Sequence, residues 1–260
     1  MQRPWILAFL SLAIAPDTAA IALPLDFNPA YSTLSHRQVV REKRGFGIEI
    51  NHASRQITLR SWFFAARNTP AERQQLEAIL QFWHRQNGRF VYRLGRGKQA
   101  VDYDIVFDLR EAEGAYEADG IFIPVAGINL SLLNQIEVVP DHHMPKLRQP
   151  SPAQTLVGYA PNNFIYISDQ VADQPWVGVH EAGHRLGAGH VNHGIMQQQG
   201  DFLKRKVSRR TIRQMLACGY IIGRSHQRQR LVNYPVEAAQ IDVVGTVPRG
   251  FYTRGRVKRR

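Results

Sequence analysis

The chain has almost no cysteine. Cys218 is the only one in 260 residues. This excludes an intrachain disulfide framework and the cysteine-rich, four-ligand zinc sites that scaffold small domains. Long apolar runs are lacking as well. The one candidate, Trp5–Ala15 (WILAFLSLAIA), is too short to span a bilayer as a helix. It follows Arg3 and precedes the small residues of Asp17–Ala22, which is the three-part pattern of an export signal, with cleavage expected after Ala20 or Ala22. The sequence therefore predicts a signal peptide over 1–22 and a secreted or periplasmic mature chain with no transmembrane segment. Acidic residues run out toward the C-terminus. Residues 200–260 hold 15 Lys and Arg against 3 Asp and Glu, a surplus equal to the +12 of the whole chain. The basic character belongs to the last quarter alone.

No internal repeat is present, and 44% hydrophobic residues suffice for one sizeable core. Gln56–Phe64 reads as a strand. A helix is predicted next: Thr69 as N-cap, Pro70 at N1, Glu72 completing a capping box, an apolar stripe of Leu76, Ile79, Leu80 and Trp83, and Gly88 as C-terminal stop. Arg89–Leu94 and Asp102–Leu109 read as strands, followed by an acidic loop, short strands through Val139, and a strand over Asn163–Ser168. A helix is expected from about Asp173 to Leu186 and another over Ser208–Tyr220. Ile221–Arg260 shows no pattern. The strand–helix–strand–strand order predicts an α/β or α+β domain with a mixed sheet.

The stretch HEAGHRLGAGH, His180–His190, carries the chemistry. His180 and His184 are four apart and share one helix face, so both imidazoles can address one ion. Gly187 can take the left-handed conformation that ends a helix, and the turn would bring His190 in from another direction. Three neutral imidazoles with an open fourth position are the pattern of catalytic Zn2+. Glu181 stands about 100° round the helix from His180, off the metal but within reach of a water on it. The five fixed positions of HExxHxxGxxH recur by chance in a chain this long on the order of once in a hundred thousand, from average residue frequencies, whereas HExxH alone is a weak signal.

The stretch resembles the zinc signature of the metzincin metallopeptidases. Met196, six residues after His190 in HGIM, is the corresponding Met-turn candidate. LEAILQFWHRQNGRFVY, the DIVF strand and NFIYIS are similar to the matrixin-like catalytic domain, so the likeness covers roughly 47–220. It implies a fold with a mixed twisted sheet, a long N-terminal helix and a zinc-binding active-site helix. It also implies a metal held by His180, His184 and His190, Glu181 as general base, and a protein or peptide substrate. The subfamily stays unassigned. Val191 follows the third histidine where matrixins have serine, adamalysins aspartate and astacins glutamate; Gln197 and Gln198 replace the astacin and serralysin tyrosine; and no cysteine precedes the helix to act as a switch.

The expected organisation is a signal peptide over 1–22, a propeptide or arm over 23–44, a peptidase domain over 45–222 and a basic C-terminal extension over 223–260. Arg41, Lys43 and Arg44 before Gly45 resemble a dibasic processing site, and Asp26 (by likeness to astacins) or His36 would be the blocking ligand. Matrixin-like domains often hold Ca2+ near the position of Glu111, Glu113, Glu117 and Asp119, but the spacing fits no calcium loop and a solvated loop is favoured. Asp141–His143 could join a second metal, with an exposed loop preferred. The function expected is an exported zinc endopeptidase. The alternative is a binding protein whose basic tail holds nucleic acid or an anionic surface, with incidental zinc.

Overall fold

The structure is a computed structural model that describes residues 45–118, 120, 122–144, 157–197, 206–219, 221–222 and 239–260. The expected signal peptide and the 23–44 segment with Asp26 and His36 lie outside the described residues, as does Asp119. The strands are β1 Gly47–Asn51, β2 Gln56–Ala65, β3 Phe90–Leu94, β4 Val101–Glu111, β5 Gly114–Tyr116, β6 Phe122–Pro124, β7 Leu133–Val139, β8 Gly158–Tyr159, β9 Phe164–Ser168, β10 Gln240–Val244 and β11 Gly255–Arg259. The helices are α1 Pro70–His84, α2 Pro175–Arg185, α3 Arg209–Cys218 and the short α4 Phe251–Arg254. Among the described residues no helix is long and apolar enough to cross a membrane.

Among the described residues nine strands form one mixed sheet; seven run in the order β11-β3-β4-β2-β7-β9-β8, and β1, with β10 beyond it, branches from β2. The centre is parallel (β4, β2, β7, β9), and β3, β11 and β8 add antiparallel strands at the two ends. β2 is long enough to carry two partners on one side. Gln56–Arg60 pair with β1, and Trp62–Ala65 pair with β7. β5 and β6 make a separate hairpin.

α1 forms where its sequence predicts. The Thr69 side chain accepts from the Glu72 N–H, and Glu72 returns a carboxylate to the Thr69 N–H at 3.2 Å. Leu76, Ile79 and Trp83 are buried against Ile105, Phe107, Ile165 and Ile167 of the sheet, each contributing about 1.5–3 kcal/mol. The helix ends at His84, short of the predicted stop at Gly88. Asn87 pulls the following turn onto β4: its side-chain oxygen accepts from the Phe107 N–H at 2.7 Å and its amide donates back to the Phe107 carbonyl. Gly88 still takes a left-handed φ of 76°, but in that turn. The opposite sheet face buries a second cluster, with Phe64 stacked on Phe122 at 4.5 Å.

The last quarter differs most from its reading as patternless. β10 pairs in parallel with β1, and β11 closes the far end of the sheet on β3. Phe251 and Val257 belong to the main core, so this part of the expected extension is built into the domain. Gly45 is buried. Its N–H donates to the Ser131 carbonyl at 2.7 Å, and its carbonyl accepts from Ser61 Oγ at 2.6 Å and Asn134 Nδ2 at 2.7 Å.

Candidate metal centre

α2 has no side-chain N-cap of its own. Gln75, reaching over from α1, accepts from one N–H of the first turns of α2, that of Gly178 at 3.0 Å, while its amide donates to the Ala172 and Gln174 carbonyls ahead of the helix at 2.8 and 3.1 Å. The other end of the helix closes in a Schellman turn. The Gly187 N–H donates to the His184 carbonyl and the Ala188 N–H to the Gly183 carbonyl, both at 2.9 Å. Gly187 is left-handed, with φ of 83°. The turn reverses the chain and returns His190 to the helix.

The result is a cluster of three imidazoles. One ring nitrogen from each of His180, His184 and His190 lies within 4.8 Å of the others. His180 Nδ1 meets the Ile195 carbonyl at 2.6 Å, and His184 Nδ1 meets the Ala188 carbonyl at 2.7 Å. A carbonyl only accepts, so both Nδ1 atoms carry the proton, and both Nε2 atoms present a lone pair. These two Nε2 atoms stand 3.0 Å apart. Burial keeps the rings neutral: it pulls His180 down to about 4 and His190 to about 3, and it holds His184 well below its usual value, aided by the charge each neighbouring histidine would bring. Neutral imidazoles with converging lone pairs, oriented by carbonyls behind them, fit a divalent metal such as Zn2+.

Glu181 is 2% exposed, and its Oε1 has no hydrogen-bond partner among the described residues. Burial pushes its carboxyl well above the usual range, opposed by the Arg185 cation one turn on. An orphaned carboxylate oxygen beside a histidine cluster calls for a donor from beyond the described residues. Arg185 is itself buried and lowered to about 10 by desolvation. Its guanidinium donates to the Ala160 carbonyl at 3.3 Å and to Asn134 Oδ1 at 3.4 Å. Met196 is fully buried and packs against Gly183, where a Cβ would collide with its sulfur. This close approach sets the thioether against the turn of helix between His180 and His184.

β8 runs beside this helix and pairs only with β9 among the described residues. The Ser168 N–H donates to the Val157 carbonyl at 3.0 Å. Antiparallel alternation then makes Gly158 and Ile167 a non-hydrogen-bonded pair, so the Gly158 N–H and C=O face away from β9.

The remaining sequence candidates go elsewhere. Glu111 pairs with Arg73, whose Nη2 lies 3.1 Å from its Oε2, and Glu113 and Glu117 are exposed. Asp141 accepts from Ser168 Oγ at 2.9 Å, and His142 and His143 meet edge-to-face with ring centroids 4.1 Å apart. Among the described residues, the histidine trio is the one metal-competent cluster. Gln75, Arg185 and Gly158 escaped the sequence reading. Only Arg185 left a trace there, four residues after Glu181 on the same helix face. No protein-family model matches the chain, and no curated protein matches it either.

Proposed function

We propose that the chain is an exported, zinc-dependent endopeptidase of metzincin type. The observation that carries this is the gathering of His180, His184 and His190 next to the orphaned carboxylate oxygen of Glu181, in a chain whose spacing resembles the metzincin signature. His180, His184 and His190 hold the ion. Bound there, zinc supplies Lewis acidity, bringing the pKa of water toward neutrality and polarising a carbonyl. Glu181 takes the proton of the attacking water and delivers it to the departing amine. Its burial suits that exchange, because raising the carboxyl pKa makes the carboxylate a stronger base toward the proton of the water. The Ile195 and Ala188 carbonyls keep the His180 and His184 rings in one tautomer and one orientation. An extended peptide adds to β8, bonding the outward groups of Gly158 and crossing the helix that bears Glu181.

The basic C-terminal strand adds a surface for an anionic partner. Arg256 stands opposite Arg93 across the β11–β3 pair, and Lys258 is lowered by desolvation and by those two arginines. Residues 1–22 direct export, and 23–44 act as a removable arm or propeptide.

The test is hydrolysis of an unstructured protein such as casein by the purified chain, with and without a chelator, alongside zinc analysis. Chelator-sensitive cleavage restored by zinc, at one ion per chain, is expected. No cleavage together with no stoichiometric zinc overturns the reading.

A further inference from the structure

Glycine occupies a position either for its backbone freedom or for its lack of a side chain. Gly158 is not one of the glycines with a left-handed φ, so an alanine there meets no backbone strain. Space is the constraint. A Cβ on Gly158 would lie 2.6 Å from Glu181 Oε1, 2.9 Å from Glu181 Cγ and 2.9 Å from Val177 Cγ1. These separations are far inside ordinary carbon contact distances. Glu181 has little room to yield, since it is buried on a helix pinned by Gln75 at one end and by the Schellman turn at the other.

We infer that Gly158 is a positioning residue for Glu181: the side chain missing from this rung of β8 leaves the room in which the Glu181 carboxylate stands. The inference rests on the peptidase reading for its catalytic consequence, though not for its steric content. Gly158 has a double place, because its N–H and C=O point away from β9, which is the one strand pairing with β8 among the described residues, while its α-carbon faces the general base. Alanine preserves the first role and blocks the second. Substrate binding and turnover therefore separate. Gly158→Ala leaves KM near the wild-type value and lowers kcat roughly ten- to a hundredfold, because displacements of about 1 Å cost that much.

The experiment uses the full chain and the variants Gly158→Ala, Glu181→Ala, Val177→Ala, Gly158→Ala/Glu181→Ala and Gly158→Ala/Val177→Ala. Zinc content, thermal midpoint, and kcat and KM on a fluorogenic peptide are measured for each. Gly158→Ala is expected to keep zinc, lower the midpoint and lose kcat. Its cost in midpoint shrinks in the Glu181→Ala background, where the carboxylate is gone. Val177→Ala, which relieves only the packing clash, does not restore kcat. An unchanged kcat in Gly158→Ala, a midpoint cost that adds fully to that of Glu181→Ala, or full recovery of kcat through Val177→Ala each overturns the inference. Should Gly158→Ala not fold, rescue of folding by Glu181→Ala supports it and absence of rescue overturns it. A wild-type chain with no peptidase activity overturns the proposed function, while the midpoint cycle still decides whether Gly158 makes room for Glu181.

Discussion

At the scale of single residues, the proposed function separates holding a metal from using it. The three imidazoles meet through ring nitrogens, two of them on rings that backbone carbonyls hold in place, those of His180 and His184, and Glu181 takes no part in those bonds. Glu181→Ala should therefore keep its zinc and lose roughly 10²–10⁴ in hydrolysis rate, the usual contribution of a general base. Zinc analysis beside a peptide assay checks this; full activity at normal zinc content would remove Glu181 from the mechanism. The histidine trio is legible because its relation is local, within eleven residues whose spacing maps directly onto a helix and its terminal turn. Gln75 was not legible. Its partner Gly178 is 103 residues away, and a glutamine on an apolar helix stripe looks like an interruption until the second helix is placed against it. Gly158 was hidden for the same reason, since the space it leaves is defined by Glu181 and Val177 from another element.

At the scale of elements, α2 and its closing turn act as one device. A glycine at 187 can end the helix left-handed and swing His190 back, and φ of 83° has that sense. The structure adds a packing reason for glycine. A Cβ at 187 would stand 2.7 Å from Cys218 Sγ and 3.1 Å from Phe46 Cζ. Gly187→Ala should thus cost about 1–2 kcal/mol in backbone strain alone, with the α3 contact adding to it. The turn must shift to relieve this, and His190 rides on the turn while His180 and His184 do not. Zinc affinity is then expected to fall more than thermal stability does. Competition against a chelator of known affinity measures the first, and thermal melting of the metal-free protein measures the second. Equal behaviour to wild type in the competition would show that the turn does not set His190. Other boundaries were less legible. α1 stops before Gly88 because Asn87 finds a partner on β4, a contact absent from any local pattern.

At the scale of the whole molecule, two groups tie distant parts of the sheet together. Glu137 on β7 is pushed up from 4.5 to about 7, chiefly by burial. Arg67, with its Nη2 at 2.5 Å, and Gln135 oppose the shift, while the Glu72 carboxylate adds to it. Tyr166 faces it from β9. The native state therefore holds a proton between pH 4.5 and about 7 that the unfolded chain has released, so this group's contribution to stability falls as pH rises through that window and levels off above it. Denaturation of wild type and Glu137→Gln across pH 5 to 8 should show the wild type losing ground to the variant up to about 7 and no further; a constant difference would mean that Glu137 keeps an ordinary pKa. The C-terminal residues were the least legible part of the chain. GRVKR has a single buried valine in a strand of charges, and only its pairing with β3 reveals it as part of the sheet. That pairing changes what a truncation does. A basic tail that merely binds anions could be removed without harm to hydrolysis. Deleting 249–260 instead takes Phe251 and Val257 out of the core, breaks the hydrogen bond from the Tyr92 hydroxyl to the Phe251 carbonyl, and turns β3 into an edge. The loss should be on the order of 5 kcal/mol, enough to lower the thermal midpoint by about 10 °C or more. Peptide hydrolysis should decline with the folded fraction. Neutralising charge alone, in Arg256→Gln/Lys258→Gln, should leave melting and hydrolysis nearly unchanged, because exposed substitutions stay within about 0.5 kcal/mol. The same variant should elute from heparin at lower salt, since the lost contacts are screened within about 8 Å. If the truncated chain instead melts and hydrolyses like wild type, the C-terminal strand is an appendage and the sheet ends at β3.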